Sequence, residues 1–326
     1  MDRVRRTRLL RNGARAGVIL AMVVAFVMAL RDASPREIFR VFGSANLEML
    51  SVFVPVILAV GFALRAARFG VLLGDQPGSG VRYRDVLGSI LVSQAANNVL
   101  PLRAGEFVRT RDFVVRGYPL EKVAAAQIME KLVEVATLLV WVVWVAWVAP
   151  VLGRTFLLGV LRRPFLASAV LVVLAMAVGA WAWTRLRRST FNYRQSSSIV
   201  GLATATGWSL LADGLEVALI YVCLRSLGIS GGLQASLTVL AAVNLAIALP
   251  STPGNVGVLE AGAALGLIAV GVPRESAIAF ALLYRFVQWL PVTLAGAAVW
   301  WVRRPPQERR ATSSSTTELS LGKARS

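Results

Sequence analysis

Long apolar runs separated by short polar stretches make up most of this chain. A membrane-spanning helix needs about 20 mostly apolar residues, because each residue advances a helix by about 1.5 Å. Several of the runs reach that length, so we predict an all-α polytopic membrane protein with about six to eight transmembrane helices. The first run is Ala16–Leu30, and the others lie at about 47–64, 86–100, 123–149, 165–184, 200–224, 233–250, 254–270 and 276–302.

The blocks at 86–100 and 233–250 differ from the others because they are short, contain asparagines and end at Pro101 and Pro250. We interpret them as half-helices of two re-entrant hairpins, 86–116 and 233–271. This topology places most lysines and arginines on one side of the membrane, as the positive-inside rule requires. It also predicts cytoplasmic N- and C-termini and hairpins that enter from opposite sides.

The two hairpins share a sequence pattern. Each reaches a glutamate and then a Gly-x-Pro-x-Glu motif, and the paired positions differ by 154 in residue number (260 against 106). Inverted repeats with broken helices are typical of secondary transporters. We therefore predict an inverted repeat with motifs in 86–149 and 233–302. The pairs are Glu106 and Glu260, Gly117 and Gly271, Pro119 and Pro273, Glu121 and Glu275, and Lys131 and Arg285.

Composition supports the membrane assignment and narrows the chemistry. The chain is 56% hydrophobic, and 35 Lys and Arg residues against 17 Asp and Glu give a net charge of +18. The basic residues lie in short loops, which favours topology and anionic lipid over nucleic acid as the reason for the charge. No histidine is present, so a histidine general base or metal ligand is excluded, and we expect no cofactor and no metal.

The first motif, 97–109, gathers polar groups next to a helix break. Asn97 and Asn98 can cap freed carbonyls or bind a polar head group, and we weigh both roles equally. Arg103 and Arg109 can hold a phosphate or anchor the chain at the membrane surface. Glu106 suggests an internal ion pair or a proton acceptor. The residues expected to shape the turn are Pro101 and Gly105.

The second motif contains Glu260, which ten uncharged residues follow. A carboxylate in such a segment is a candidate functional group, although a buried structural pair is the alternative. Asp213 and Glu216 need partners on another helix, and we expect Arg285 or Lys131 to supply them. The other candidate binding residues are Glu130, Lys131, Asn244 and Arg285, and the expected turn residues are Pro250, Pro253, Gly254 and Gly257.

These motifs resemble the transmembrane region of lysylphosphatidylglycerol synthase, a flippase-like family. The resemblance rests on N-x-x-P-x-R-x-G-E-x-x-R from Asn98 to Arg109 and on P-x-x-P-G-x-x-G-x-x-E from Pro250 to Glu260, and it covers roughly residues 10–302. It departs from the family pattern at Asn255 and Lys131. It implies movement of an aminoacylated, polyprenyl-linked or other lipid between leaflets, with the lipid made elsewhere, and we expect the synthase's soluble catalytic domain to be absent.

We therefore predict a lipid-binding protein of the cell membrane that translocates a phospholipid, an aminoacyl-lipid or a polyprenyl-linked lipid. The alternative is a membrane enzyme or accessory subunit of lipid or polyprenyl-phosphate glycan metabolism; we favour the transporter over the enzyme. Expected partners are membrane lipids and an enzyme that supplies the lipid. The predicted organisation is a basic cytoplasmic N-terminus at 1–15, a transmembrane domain at 16–302 and a disordered polar tail at 303–326.

Overall fold

The computed structural model describes residues 35–74, 81–100, 104–148, 199–248 and 256–303, and all regular secondary structure in these ranges is helical. The described ranges contain nine α-helices, which confirms the predicted all-α class. They are α1 Pro35–Gly43, α2 Leu47–Leu73, α3 Tyr83–Val99, α4 Gly105–Val115, α5 Leu120–Val148, α6 Ile199–Ser226, α7 Gly232–Ala248, α8 Val258–Ala269 and α9 Arg274–Arg303.

Three of these helices, α2, α6 and α9, are long and apolar enough to cross a membrane. The predicted polytopic membrane protein is therefore confirmed. Helices α7 and α8 are apolar but short, and 12 residues in α8 extend only about 18 Å, less than the apolar thickness of a bilayer. The predicted runs at 16–30 and 165–184, the N-terminal segment 1–15 and residues 304–326 of the tail lie outside the described residues.

Helix packing follows a reciprocal pattern. Helix α2 packs along α6, and each of them also contacts the short helix that follows it, α3 or α7 respectively. Helix α3 packs on α9, whereas α7 packs on α5, so each short helix contacts the long helix that follows the other one. Exchanging α2–α5 for α6–α9 leaves these contacts unchanged.

The turns recur in the same way. Gly117 precedes α5 with a φ of 92°, and Gly271 precedes α9 with a φ of 86°. Gly74 ends α2 with a φ of 64°, and Gly228 follows α6 with a φ of 70°. Both pairs keep the difference of 154 in residue number (271 against 117, 228 against 74), and a positive φ favours glycine at each position. The spacing seen in the motifs therefore extends to the backbone.

Small residues let the short helices approach their neighbours closely. Gly262 of α8 faces Ala246 and the carbonyl of Ala242, and Gly266 one turn later faces Ala242 and the carbonyl of Thr238. Because the contacts move back along α7 as α8 advances, the two helices form an antiparallel hairpin. Small residues spaced by four are common where helices pack inside a membrane, because the hydrophobic effect does not drive helices together there.

Candidate functional site

A buried ion cluster ties the first short hairpin to two long helices. Glu130 of α5 lies 2.7 Å from Arg68 of α2 and 2.7 Å from Arg109 of α4. All three side chains are about 95% buried. Arg109 also stacks on the Phe69 ring at 4.4 Å. Burying a charge is costly unless it is paired, so this cluster holds α2, α4 and α5 in one arrangement.

Three more charges complete the cluster at its more exposed rim. Glu106 lies 2.6 Å from Arg109, and Glu134 lies 2.6 Å from Arg68. Lys131 contacts Glu134 at 2.9 Å and Glu106 at 3.8 Å. Three bases therefore face three acids, and the cluster is neutral. Arg109 is not the surface anchor considered as one alternative above, because its side chain is buried and pairs with Glu130 and Glu106.

Asn97 holds the turn between α3 and α4. Its side-chain oxygen accepts a 2.8 Å hydrogen bond from the backbone N–H of Gly105, and Ser93 donates to the Gly105 carbonyl at 2.8 Å. A Cβ at Gly105 would overlap with the Ser93 carbonyl oxygen and the Asn97 side chain. The close approach of α4 to α3 therefore requires glycine at position 105. Of the two predicted asparagines, Asn97 has a structural role, because its side chain holds this turn.

Gly105→Ala should destabilise the protein by about 1–3 kcal/mol, because the added methyl group forces the hairpin apart. The control is Gly207→Ala in α6, where a Cβ meets nothing within 4 Å and alanine favours the helix. Thermal unfolding in detergent measures both variants. A Gly105→Ala protein as stable as Gly207→Ala would contradict this role for Gly105.

Glu260 of α8 occupies the place in the second hairpin that Glu106 occupies in the first. Its buried carboxylate accepts a 2.8 Å hydrogen bond from the N–H of Gly257, whose φ is 81°, and lies 3.6 Å from the Arg285 guanidinium. Glu106 likewise contacts Lys131. The glutamate and base that each motif supplies at equal spacing are therefore neighbours in both halves.

A polar cavity of about 190 Å³ lies between α2, α3, α6, α7, α8 and α9. It brings together three of the predicted site residues, Asn98 and Asn244 from the two motifs and Arg285. Apolar side chains such as Ile57, Leu58 and Leu219 complete its wall. The remaining polar lining residues are Arg65, Gln94, Asp213, Glu216, Tyr284 and Gln288, with Trp289 beside them.

Glu216 organises one side of this cavity. It lies 2.9 Å from Arg65 of α2, and Tyr284 of α9 donates to it at 2.6 Å. Gln288, one turn beyond Tyr284, donates to both Glu216 and the Tyr284 hydroxyl. Asp213, one turn before Glu216, accepts a 3.2 Å hydrogen bond from the Trp141 indole. Arg285 or Lys131 was expected to neutralise Glu216, but the ion-pair partner of Glu216 is Arg65.

Arg65 and Arg68 are the residues that the sequence analysis overlooked. The apolar block was taken to end at residue 64, but α2 continues to Leu73 and carries both arginines inside the fold. Arg65 faces the cavity, whereas Arg68, one turn later, joins the ion cluster. The apolar sequence FGVLL at 69–73, directly after the arginines, is the signal that could have revealed the longer helix.

Arg68 and Arg109 are buried in the protein, so these two arginines do not support the topology that was predicted from the charges of the loops.

The predicted site residues thus separate into two neighbouring groups. Glu106, Arg109, Glu130 and Lys131 belong to the ion cluster, and Asn98, Asn244 and Arg285 line the cavity, with Glu260 beside Arg285. Asn244 also donates a 2.9 Å hydrogen bond to the Leu240 carbonyl in its own helix. Five predicted residues lie outside the described part of the chain: Pro101, Arg103, Pro250, Pro253 and Gly254.

Comparison with known proteins agrees with the architecture. A search of curated protein sequences finds no match. The family described as Lysylphosphatidylglycerol synthase TM region matches residues 15–296, most of the chain, which confirms the resemblance drawn from the two motifs. This family is one of membrane proteins related to lipid metabolism or flipping. The chain is an integral membrane protein and belongs to the lysylphosphatidylglycerol synthase transmembrane-region family.

Proposed function

We propose that the protein binds a lipid head group in the cavity and carries it between the leaflets of the cell membrane. The observation that carries this proposal is the cavity itself, which places charged and amide side chains among helices that are otherwise apolar. Polar groups among membrane-spanning helices are costly and usually serve a ligand or a pathway. The cargo classes are a phospholipid, an aminoacyl-lipid or a polyprenyl-linked lipid.

The reciprocal packing supports a transport cycle. The cavity is lined by α2 and α3 from one half and by α6, α7, α8 and α9 from the other. In secondary transporters, halves related by inverted repeats rock around a site between them and open it to each side in turn. We propose the same relation here, with both termini in the cytoplasm and the ion cluster holding the α3–α4 hairpin to α2 and α5.

Reconstitution into lipid vesicles tests the proposal. A trace lipid with a fluorescent head group is placed in both leaflets, and a membrane-impermeant reagent quenches the outer leaflet. Protein-free vesicles should keep the inner-leaflet signal, whereas vesicles with purified protein should lose it as lipid crosses. A protected signal equal to that of protein-free vesicles, at one or more proteins per vesicle, would overturn the proposal.

The inverted relation of the halves has a separate test. Glu121 and Arg274 are exposed residues at the starts of α5 and α9, directly after the two hairpins. Single cysteines there, in a Cys223→Ala background, should react with an impermeant maleimide from opposite sides of the membrane. Cys223 is the one cysteine of the chain, so its replacement by alanine leaves the introduced cysteine as the single thiol that can react. Labelling of both positions from the same side would refute the inverted arrangement.

A further inference from the structure

Asp213 is a carboxylate of the cavity wall whose charge is not matched by a nearby base. It is half-buried on α6 and lines the cavity. The Trp141 indole donates to it at 3.2 Å, but no arginine or lysine among the described residues forms an ion pair with it. Glu216, one turn later, does have such a partner in Arg65. A charge among membrane-spanning helices is costly unless it is compensated, so an ionised Asp213 is an unstable element of this wall.

The helices that pack on α6 supply few charges near Asp213. They are α2, α5, α7 and α9. Helix α7 has no charged residue, and α5 has none after Glu134. Helix α2 supplies Arg65 to the cavity, and α9 supplies the Tyr284 hydroxyl and the Arg285 guanidinium.

These charges do not balance. Arg65 is paired with Glu216, and Arg285 lies 3.6 Å from Glu260 of α8. Asp213 is then the third acid beside two bases. Within the described residues, the cavity and the groups paired to it therefore carry one excess negative charge when Asp213 is ionised, and a single proton on Asp213 removes it.

The hydrogen bond from Trp141 suits both protonation states of Asp213. An indole N–H can only donate. An ionised carboxylate accepts through both oxygens, and a protonated carboxyl still accepts through its carbonyl oxygen. Asp213 can therefore gain or lose a proton while this contact between α5 and α6 stays in place.

A phosphate group in the cavity would make protonation of Asp213 more favourable. Arg65 reaches Glu216 through Nη2, and its guanidinium lies over the Phe62 ring at 5.5 Å. Arginine has five N–H donors, so Arg65 can also attract the phosphate that all three proposed cargo classes carry. An ionised Asp213 repels that phosphate, whereas a protonated Asp213 does not.

We propose that Asp213 takes up one proton together with a phosphate-bearing head group, so that lipid and proton cross the membrane together. The proton enters from the water on the side to which the cavity is open, and it leaves to the water on the other side. The described residues contain no group of three or more acidic, histidine or cysteine side chains that could hold a metal ion instead. The inference rests on the proposed lipid movement and adds its driving force.

A pH difference across reconstituted vesicles tests the coupling. The trace lipid is phosphatidylethanolamine labelled through its amine, so that phosphate is its one charged group. With the interior about one pH unit above the exterior, protons flow inward, and the label should accumulate in the inner leaflet by up to about tenfold. Reversing the gradient should reverse the ratio. The immediate loss of signal on adding the impermeant quencher measures the outer fraction, and protein-free vesicles report redistribution of the lipid alone.

Two outcomes of this experiment separate the coupling from the proposed function. Equal leaflets under the gradient, in a wild type that translocates the label without a gradient, would overturn the coupling alone. A leaflet ratio that follows a Na⁺ gradient instead of the pH gradient would overturn it as well. A wild type that does not translocate the label at all would overturn both the coupling and the proposed function.

Asp213→Asn assigns the coupling to this residue. Asparagine keeps an acceptor for the Trp141 indole but cannot ionise, so the pH gradient should no longer shift the leaflet ratio. The control is Glu121→Gln, an exposed acid at the start of α5, which should respond to the gradient as wild type does. A shifted ratio in Asp213→Asn would overturn the assignment.

Lipid affinity distinguishes a loss of coupling from a loss of the binding site. Added phosphatidylglycerol raises the Tm of the protein in detergent according to its affinity. Wild type should bind this lipid more tightly at mildly acidic than at mildly alkaline pH, because the protonated state accepts the phosphate. Asp213→Asn resembles that state and should bind as tightly at both pH values as wild type does in acid. A wild-type affinity that is independent of pH, or an Asp213→Asn protein that binds at neither pH, would contradict proton uptake at Asp213.

Discussion

Replacing Glu130 by glutamine is expected to lower the free energy of unfolding by about 3–5 kcal/mol, because it leaves buried arginines without their shared counter-ion. Within the described residues, Glu130 is the one carboxylate that contacts both Arg68 and Arg109. The neutral cluster would become positive by one charge inside the fold. Three helices lose their common contact at once, so the loss should appear as destabilisation of the whole unit and not as local fraying.

Unfolding by denaturant in detergent micelles measures this loss. The matched control is Glu121→Gln, which removes the same charge from an exposed position at the start of the same helix. Exposed substitutions of this kind usually change stability by less than about 0.5 kcal/mol. If Glu130→Gln unfolded at the same denaturant concentration as Glu121→Gln, the cluster would not be the structural tie inferred here.

The backbone of the two hairpins was largely predictable from sequence. Asparagines followed by a proline indicated where α3 and α7 end, and the helices do end at Val99 and Ala248. Gly117 and Gly271 stand where the chain needs a positive φ, which few other residues adopt readily. Local preferences of this kind act within a few residues, so a sequence pattern can report them directly.

The partners of the charged side chains were not predictable in the same way. The pairing of Arg65 with Glu216 joins α2 to α6, and no local signal encodes that contact. Basic residues near the end of an apolar block suggest that a loop begins there, because burying a charge is costly. The acidic residues that compensate for this cost lie on other helices, and the sequence does not show which residues they are. For this reason Arg65 and Arg68 were assigned to a loop, although they belong to α2.

Two pairs of positions that are 154 residues apart carry different side chains in the two halves of the chain. Glu130 and Glu134 of α5 correspond to Tyr284 and Gln288 of α9 (284 against 130, 288 against 134). In the first half, Arg68 of α2 contacts both glutamates, and in the second half, Glu216 of α6 contacts both Tyr284 and Gln288. The same two helix positions thus hold a structural ion cluster in one half and the cavity wall in the other. Residue identity alone could not reveal this, because the charges differ.

A bulky side chain at Gly61 should block lipid translocation almost completely. Gly61 lies on α2 and lines the cavity, and a Cβ built there meets no atom within 4 Å. A phenylalanine can therefore enter the cavity without displacing the backbone, and it competes with the lipid head group for the same space. Glycine in a helix interior is also unfavourable by about 1 kcal/mol, so the exchange should not weaken α2.

Gly70 provides a close control for this block. It lies on the same helix, a Cβ there also meets nothing within 4 Å, and it is not among the cavity-lining residues. Gly70→Phe adds the same side chain to α2 and should leave both folding and translocation intact. A thermal transition similar to that of wild type in both variants would establish that any difference in transport arises from the cavity.

The most direct test of the account is the translocation rate of a labelled phospholipid in vesicles that contain wild type, Gly61→Phe or Gly70→Phe at equal protein density. Wild type and Gly70→Phe should deplete the protected inner-leaflet signal at similar rates, whereas Gly61→Phe should approach the protein-free rate. Equal rates for a folded Gly61→Phe and wild type would contradict the claim that the lipid head group passes through this cavity.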